Sequence, residues 1–327
     1  MIYRTNTRLG QPVSIIGFGC WSTASYNWSE ASTVESVRAI QTAIDCGINF
    51  FDVAPIYGYG DSEILLGQAI KGHRNKILIA TKCGLRWDEK DGPARNDLSA
   101  ASIQWEVEQS LRRLQVETID LYQMHWPDHG TRLDETMAAL QKLIDQGKIR
   151  HIGASNFSLA DTVKADSLAS VSSYQGLYNL FDRNSSHYCG IPLEYQTEAE
   201  IIPYCEKTKT AFIPYSPLCQ GVLSGRYYRG RDKDLQSSDM RLTNPEIIGL
   251  SLDHKLDIVE RLQVLAQGSG HTLLELALGW MTANEAVTSI IVGSRTADYA
   301  RTSAAVGDLT LSQDVLAEIE KIFQEEP

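Results

Sequence analysis

Asp52, Tyr57, Lys82 and His125 are the residues of this sequence best suited to proton chemistry, and each stands at or just past the end of a short apolar run. The runs are 48–51, 77–80 and 119–124. If they are parallel strands of one sheet, the four side chains converge at its carboxyl edge. An unperturbed tyrosine titrates at about 10. A neighbouring ammonium favours the phenolate and draws that value down, while a carboxylate fixes and partly balances the ammonium. The expectation is therefore a Tyr57 of lowered pKa that gives a proton near neutral pH, with neutral His125 hydrogen-bonding the oxygen that receives it.

Strands must carry these groups, and the sequence supplies them. Short apolar runs alternate with amphipathic windows, the pattern of βα units. Strands are expected at 15–19, 48–52, 77–81, 119–124, 149–154, 172–175, 211–215 and 289–292. Eight such units predict an α/β fold of the (β/α)8 TIM-barrel type. Between them, Val34, Val37, Ile40, Ala43 and Ile44 share one helical face, as do Ile103, Val107, Leu111 and Leu114. Ser99 and Ser158 precede helical windows as N-caps. The first fourteen residues read as a β-hairpin with Gly10 in its turn region. Segments 84–97, 216–250 and 303–327 are too long for plain connectors, and the last ends in a helix with Val315, Ile319, Ile322 and Phe323 on one face. No linker or internal repeat divides the chain, so residues 1–327 are expected to form a single domain.

A barrel enzyme places its site on the loops after the strands, and the expected strand ends carry suitable groups: Asp52, Lys82, His125, Trp126, Ser155, Asn156, Gln175, Tyr215, Ser216, Gly293, Ser294 and Arg295. Any one of these is equally a capped strand end or turn residue; it is the set that argues for a site. No G-x-G-x-x-G follows a strand, and no Walker-type or H-E-x-x-H motif is present. His125 and His129 are four apart, but Pro127 interrupts them, and no metal site is expected. His73 and His151 read as surface or capping residues. The six cysteines, Cys20, Cys46, Cys83, Cys189, Cys205 and Cys219, include no C-x-x-C pair. Most read as buried thiols, although Cys20, Cys83 and Cys219 fall near strand ends, where oxidation would inhibit. With 43% hydrophobic residues in 327 and a net charge of −11, the chain has enough apolar material for one large barrel and lacks the basic footprint of a nucleic-acid binder. It has neither an 18-residue apolar run nor a signal-type N-terminus, so the expectation is a cytoplasmic protein that contacts neither membrane nor nucleic acid.

Several segments together resemble the aldo-keto reductase superfamily of bacterial type. "FDVAPIYGYGDSEILLG" from Phe51 is similar to its Asp and Tyr segment, "IATKCG" from Ile79 to its Lys segment, and "SLRRLQVETIDLYQMHWPD" from Ser110 to the stretch ending in its His. The likeness runs from Tyr3 to about Thr296. It implies that Asp52, Tyr57, Lys82 and His125 are catalytic, that the N-terminal hairpin plugs the barrel floor, and that a nicotinamide cofactor binds. By the same resemblance Ser155, Asn156 and Gln175 hold the carboxamide and Tyr215 stacks on the nicotinamide ring. "YSPLCQGVLSGRY" resembles the stretch that crosses the pyrophosphate, which brings in Ser216, Leu218, Gly221 and Arg226. "VGSRT" resembles the adenosine-phosphate segment, with Gly293, Ser294 and Arg295. Here the sequence departs from the family: Tyr299 and Ser303 stand where a Gln or Arg and then an Asn are usual.

The resemblance implies reduction of aldehydes or ketones with NADPH, NADH being the other possibility, with Tyr57 as general acid. An NAD-linked sugar dehydrogenase and a nucleotide-binding regulatory subunit with slow turnover stay open as alternatives. Trp21, Trp87 and Trp126 follow strands and are candidates for an aromatic pocket that takes a small carbonyl or sugar substrate, or for packing under the loops.

Overall fold

The computed structural model describes residues 1–24, 32–90, 92–235, 237 and 239–325. Parts of the three long segments, including residues 91, 236, 238, 326 and 327, lie outside the described residues. Eight parallel strands form a (β/α)8 barrel: β1 (Ile16–Gly19), β2 (Phe50–Asp52), β3 (Leu78–Cys83), β4 (Ile119–Met124), β5 (Ile149–Ser155), β6 (Val171–Leu177), β7 (Ala211–Tyr215) and β8 (Ile290–Gly293). Strands β1 to β7 each pair with the next in sequence, and β8 pairs with β1. The seam between β7 and β8 closes through a parallel bridge of Phe212 with Val287 and a 2.8 Å bond from the Thr288 amide to the Phe212 carbonyl.

Strand alternation divides the core in two. Phe51, Ile79, Tyr122 and Phe212 face outward into a core shared with the helices. Phe50, Leu78, Ala80, Leu121, Ala211 and Ile213 face inward and fill the barrel floor with Ile291. Leu9 and Val13 join that inner cluster. They belong to the N-terminal hairpin, whose strands Tyr3–Thr5 and Pro12–Ser14 pair antiparallel, so the expected plug is present. One inward step further along the same strands, the apolar floor gives way to Asp52, Lys82, Gln123 and Tyr215. A floor of apolar side chains beneath a polar layer is what places charged groups in a dry, fixed frame.

The helices form as their capping and apolar spacing require. Ser99 caps the helix Ala100–Leu114 and Ser158 caps the helix Leu159–Leu168, each hydroxyl accepting a backbone N–H of the first turn; such caps contribute about 1 kcal/mol. The first of these helices buries Ile103, Val107 and Leu114, with Leu111 partly buried beside them. In the helix Thr33–Asp45 the buried stripe is Ser36, Ala39, Ile40 and Ala43. Val34 is 77% exposed, because at about 3.6 residues per turn it falls on the side of the helix opposite that stripe. The final helix, Gln313–Gln324, buries Ile319 and Ile322, and Val315 and Phe323 pack beside them. Strands β3 and β6 each run two residues beyond their expected ends. Lys82 and Gln175 therefore lie within the barrel wall, where parallel pairing with Gln123 and Ser155 keeps the backbone extended.

Candidate active site

Asp52 ends β2, and its Oδ2 accepts a 2.7 Å bond from Lys82 Nζ. The same ammonium reaches the Val53 carbonyl at 3.1 Å and the Tyr57 hydroxyl oxygen at 3.2 Å. Lysine has three N–H donors and no acceptor, so these three oxygens use all of them. The Tyr57 oxygen thus accepts from Lys82, and its own hydrogen is left to point elsewhere. Lys82 is fully buried and Asp52 nearly so, which makes their pairing a condition of burying either charge.

Tyr57 sits on the loop after β2. The chain then turns through three left-handed residues, Gly58, Tyr59 and Gly60 (φ 62°, 54° and 101°), a path that glycine permits at little cost. The following helix, Asp61–Ala69, is anchored by buried Glu63, which accepts from Thr81 Oγ1 (2.7 Å) and Arg113 Nε (2.6 Å). The Tyr57 ring lies edge-on to His125 at 5.9 Å and tilted to Trp21 at 6.1 Å.

The electrostatics correct one expectation. Burial, followed by the nearby Asp52 carboxylate, raises the Tyr57 phenol well above its ordinary value. Desolvation outweighs the ammonium here, because Lys82 is itself drawn down by burial, with Asp52 opposing. The consequence is a phenol that stays protonated at neutral pH and has a cation 3.2 Å away to stabilise charge as it develops. His125 is lowered well below the usual imidazole value by burial and then by Lys82. It is neutral across the physiological range.

Asn156 ties the next strand ends together. It holds a left-handed φ of 63°, which asparagine tolerates. Its Nδ2 donates to the His125 carbonyl (3.2 Å) and Ser155 Oγ (3.1 Å), and its Oδ1 accepts from the Tyr195 (3.1 Å) and Tyr215 (2.8 Å) hydroxyls. These four bonds occupy both donors and both lone pairs of the amide. Gln175 Nε2 donates to Asp52 Oδ1 at 2.8 Å. Tyr215 stands 5.1 Å from Tyr188, whose hydroxyl lies 3.1 Å from Ser216 Oγ.

A cavity of about 340 Å³ opens above these groups. It is lined by Asp52, Tyr57, His125, Ser155, Asn156, Gln175, Tyr215, Ser216, Leu218, Gly221, Arg226, Gly293 and Arg295, with Trp21 and Trp126 at the Tyr57 end. Three expected residues do not line it, Lys82 being fully buried behind Asp52 and Tyr57. Ser294 is buried and absent from the lining. Trp87 packs edge-on against Tyr59 at 5.5 Å: it opens the connection between the paired strands Leu85–Arg86 and Arg95–Asn96 and lies outside the cavity lining. Cys20, Cys83 and Cys219 are buried, and burial raises each thiol, so none has the exposed thiolate character that oxidation needs.

Sequence reasoning missed Tyr188, Gln123 and two arginines. Arg231 and Arg241 line the same cavity as Arg226 and Arg295, which gathers four guanidiniums at one end of an acidic protein. Asp239 pairs with Arg241 through bonds of 2.8 and 2.6 Å. Burial and then Arg241 draw Arg295 below the usual guanidinium value, partly opposed by Asp239. Arg226 lies over the Tyr299 ring at 3.6 Å. The basic run "GRYYRGRDK" was a signal of charge for Arg231 but not of where it folds, and Arg241 lies outside it. Among the described residues no cluster could hold a metal ion, and no helix is long and apolar enough to cross a membrane.

The sequence pattern of the Aldo/keto reductase family matches residues 15–324. An aldo-keto reductase of Bacillus subtilis, YhdN, is 32% identical over 99% of this chain and 94% of its own. The NADH-specific methylglyoxal reductase of Escherichia coli is 31% identical over 92% of this chain and 91% of its own. Among solved structures, a glycerol dehydrogenase from Gluconobacter oxydans superposes with a TM-score of 0.86 at 32% identity, covering 99% of this chain and 97% of that one.

Proposed function

The chain belongs to the aldo/keto reductase family, whose members are NAD(P)H-dependent oxidoreductases, and from that premise we propose that it reduces small aldehydes or ketones to alcohols with NADPH. The reading takes residues 1–327 as one barrel domain working in the cytoplasm. The observation that carries it is the Tyr57 hydroxyl, whose oxygen accepts from Lys82 while its proton is free for a substrate in the cavity.

When bound, the nicotinamide supplies the hydride; the rest falls to side chains. Tyr57 gives the proton to the carbonyl oxygen, Lys82 stabilises the phenolate as it forms, and Asp52 holds Lys82 in place. His125, neutral, hydrogen-bonds the same oxygen and sets its direction. Ser155 and the carbonyl end of Gln175 suit a carboxamide, whereas Asn156 would have to exchange one of its four bonds to reach one. Its part is to hold Tyr215 and the His125 backbone. The four arginines suit the pyrophosphate and a 2′-phosphate. Charged hydrogen bonds of that kind contribute about 1.5–3 kcal/mol each, which supports NADPH over NADH. Trp21 and Trp126 favour a substrate with some apolar body.

A second reading, oxidation of a polyol or sugar with NAD, is favoured by the likeness to the Gluconobacter glycerol dehydrogenase and the NADH-specific Escherichia coli enzyme. The same residues serve that direction, with Tyr57 as base. Steady-state assays with NADPH and NADH against a panel of carbonyls and polyols separate the two. The expected result is a higher kcat/KM for carbonyl reduction with NADPH. Faster polyol oxidation with NAD reverses the assignment.

A further inference from the structure

Gln123 has no place in the mechanism above. It is fully buried, and it does not line the cavity. It nevertheless lies in the polar layer that carries the proton donor. It pairs in register with Lys82 on one side and Gly153 on the other. Its Nε2 donates to Asp52 Oδ1 at 3.2 Å, and its Oε1 accepts from Gln175 Nε2 at 3.4 Å. Gln175 donates to the same Asp52 oxygen at 2.8 Å. The Asp52 carboxylate is thus divided: one oxygen faces Lys82 and the other faces two amides.

The barrel keeps space for this arrangement. A Cβ added to Gly153 would stand 2.8 Å from Gln123 Cγ and 2.4 Å from Ser173 Oγ, closer than real Cβ atoms pack. A neighbour without a side chain is what lets a long amide lie across the barrel interior towards Asp52.

We infer that Gln123 is a positioning residue for proton transfer, fixing the Asp52 carboxylate so that its other oxygen holds Lys82 against the Tyr57 oxygen. The inference rests on the role given to Tyr57 above. A buried carboxylate has to have its lone pairs met, and if one amide is lost it rotates towards the donors that remain. Lys82 then follows Asp52 and moves off the phenol. Gln175 is linked to the same point: an ionised carboxylate accepts only, so Gln175 must present its NH2 group to Asp52 and turn its carbonyl oxygen away. The titratable groups acting on this layer are Asp52 from β2, Tyr57 from the following loop, Lys82 from β3, His125 beyond β4, Cys20 beyond β1, and Glu63 through its field on Lys82.

The test compares Gln123→Leu, Gln123→Glu and Tyr57→Phe in the full-length protein. It reads kcat across pH, NADPH affinity by fluorescence quenching, and thermal unfolding. Gln123→Leu is expected to lower kcat by about ten- to a hundredfold, as when an outer partner of a reactive group is lost, with NADPH affinity unchanged. Gln123→Glu is the sharper probe. Protonated, the introduced carboxyl still donates to Asp52; ionised, it repels it. Activity relative to wild type is therefore expected to be highest at acid pH and to fall as pH rises. If Gln123→Leu fails to fold, the pH trend of Gln123→Glu decides, and a ratio independent of pH overturns the inference. Wild-type kcat and pH profile in Gln123→Leu, with Tyr57→Phe inactive, overturn the inference alone. Turnover retained by Tyr57→Phe overturns both it and the proposed function.

Discussion

The two ends of the cavity are built differently. At the proton-donor end, Asp52, Lys82 and Gln123 stand on barrel strands and are almost fully buried, in register with an apolar floor. At the end proposed for the nucleotide, Arg226, Arg231 and Arg241 ride on the long connection after β7, and Arg295 on the loop after β8. The first arrangement is rigid because the strands fix it, which suits chemistry sensitive to tenths of an ångström. The second is a loop wrapped over the barrel mouth, which suits holding and releasing a large anion. On this account, changes at the first end alter turnover, and changes at the second alter affinity.

The largest effect expected is that of Tyr57→Phe, a loss of about 10² to 10⁴ in carbonyl reduction, the range for removing a general acid. NADPH affinity, read by fluorescence quenching, should hold. Lys82→Met should be as damaging, and the double variant scarcely worse than either, because the lysine acts through the phenol. Additive losses in that cycle would show two separate devices where the geometry places one. His125→Gln should lower reduction by less, since it removes an orienting donor and leaves the acid in place.

The arginine end should respond in affinity. Arg295→Ala is expected to weaken NADPH by about ten- to a hundredfold, the effect of losing one charged hydrogen-bonding group, and to leave NADH nearly unchanged. Equal losses for both nucleotides would move Arg295 from the 2′-phosphate to a part they share. Raising the salt concentration should weaken NADPH in wild type more than in the variant, because exposed charge attraction is screened.

The pH dependence separates the ends again. Tyr57 is raised above the ordinary phenol value and His125 lowered below the ordinary imidazole value. The acid form of Tyr57 and the neutral form of His125 therefore coexist between about 6.5 and about 10, the unperturbed values. The chemical step of reduction should be flat across that window in single-turnover measurements, while alcohol oxidation, which needs the phenolate, should rise with pH. A reduction limb falling between pH 7 and 8 would return Tyr57 to the lowered pKa that its ammonium neighbour suggests. The smallest effect concerns the aromatic residues: Trp21→Ala should raise the KM for carbonyl substrates, and Trp87→Ala should leave it within experimental scatter, since Trp87 packs on Tyr59.

How much of this was legible in the sequence follows the same division. Asp52, Lys82, His125 and Tyr215 could be read because each stands at or just past the end of a short apolar run. Gln123 belongs to the same register but was hidden in a run, IDLYQM, that reads as plain strand. Arg231 and Arg241 lie in a connection without periodicity, so nothing in residue order shows that they fold back over the barrel mouth. Of the two readings of Trp87, packing under the loops holds and the pocket does not, because nearness to a strand end does not fix which side of a hairpin a side chain takes. The direction of the Tyr57 shift depends on depth of burial, which residue types alone do not carry.

The most direct test of the account is a double-mutant cycle across the cavity, with Tyr57→Phe and Arg295→Ala alone and combined, measuring NADPH affinity and single-turnover carbonyl reduction for each. Tyr57→Phe should change only the rate and Arg295→Ala only the affinity, and the double variant should show both losses undiminished. A Tyr57→Phe protein that keeps its single-turnover rate, or that loses NADPH affinity as Arg295→Ala does, would contradict the division of labour proposed for the two ends.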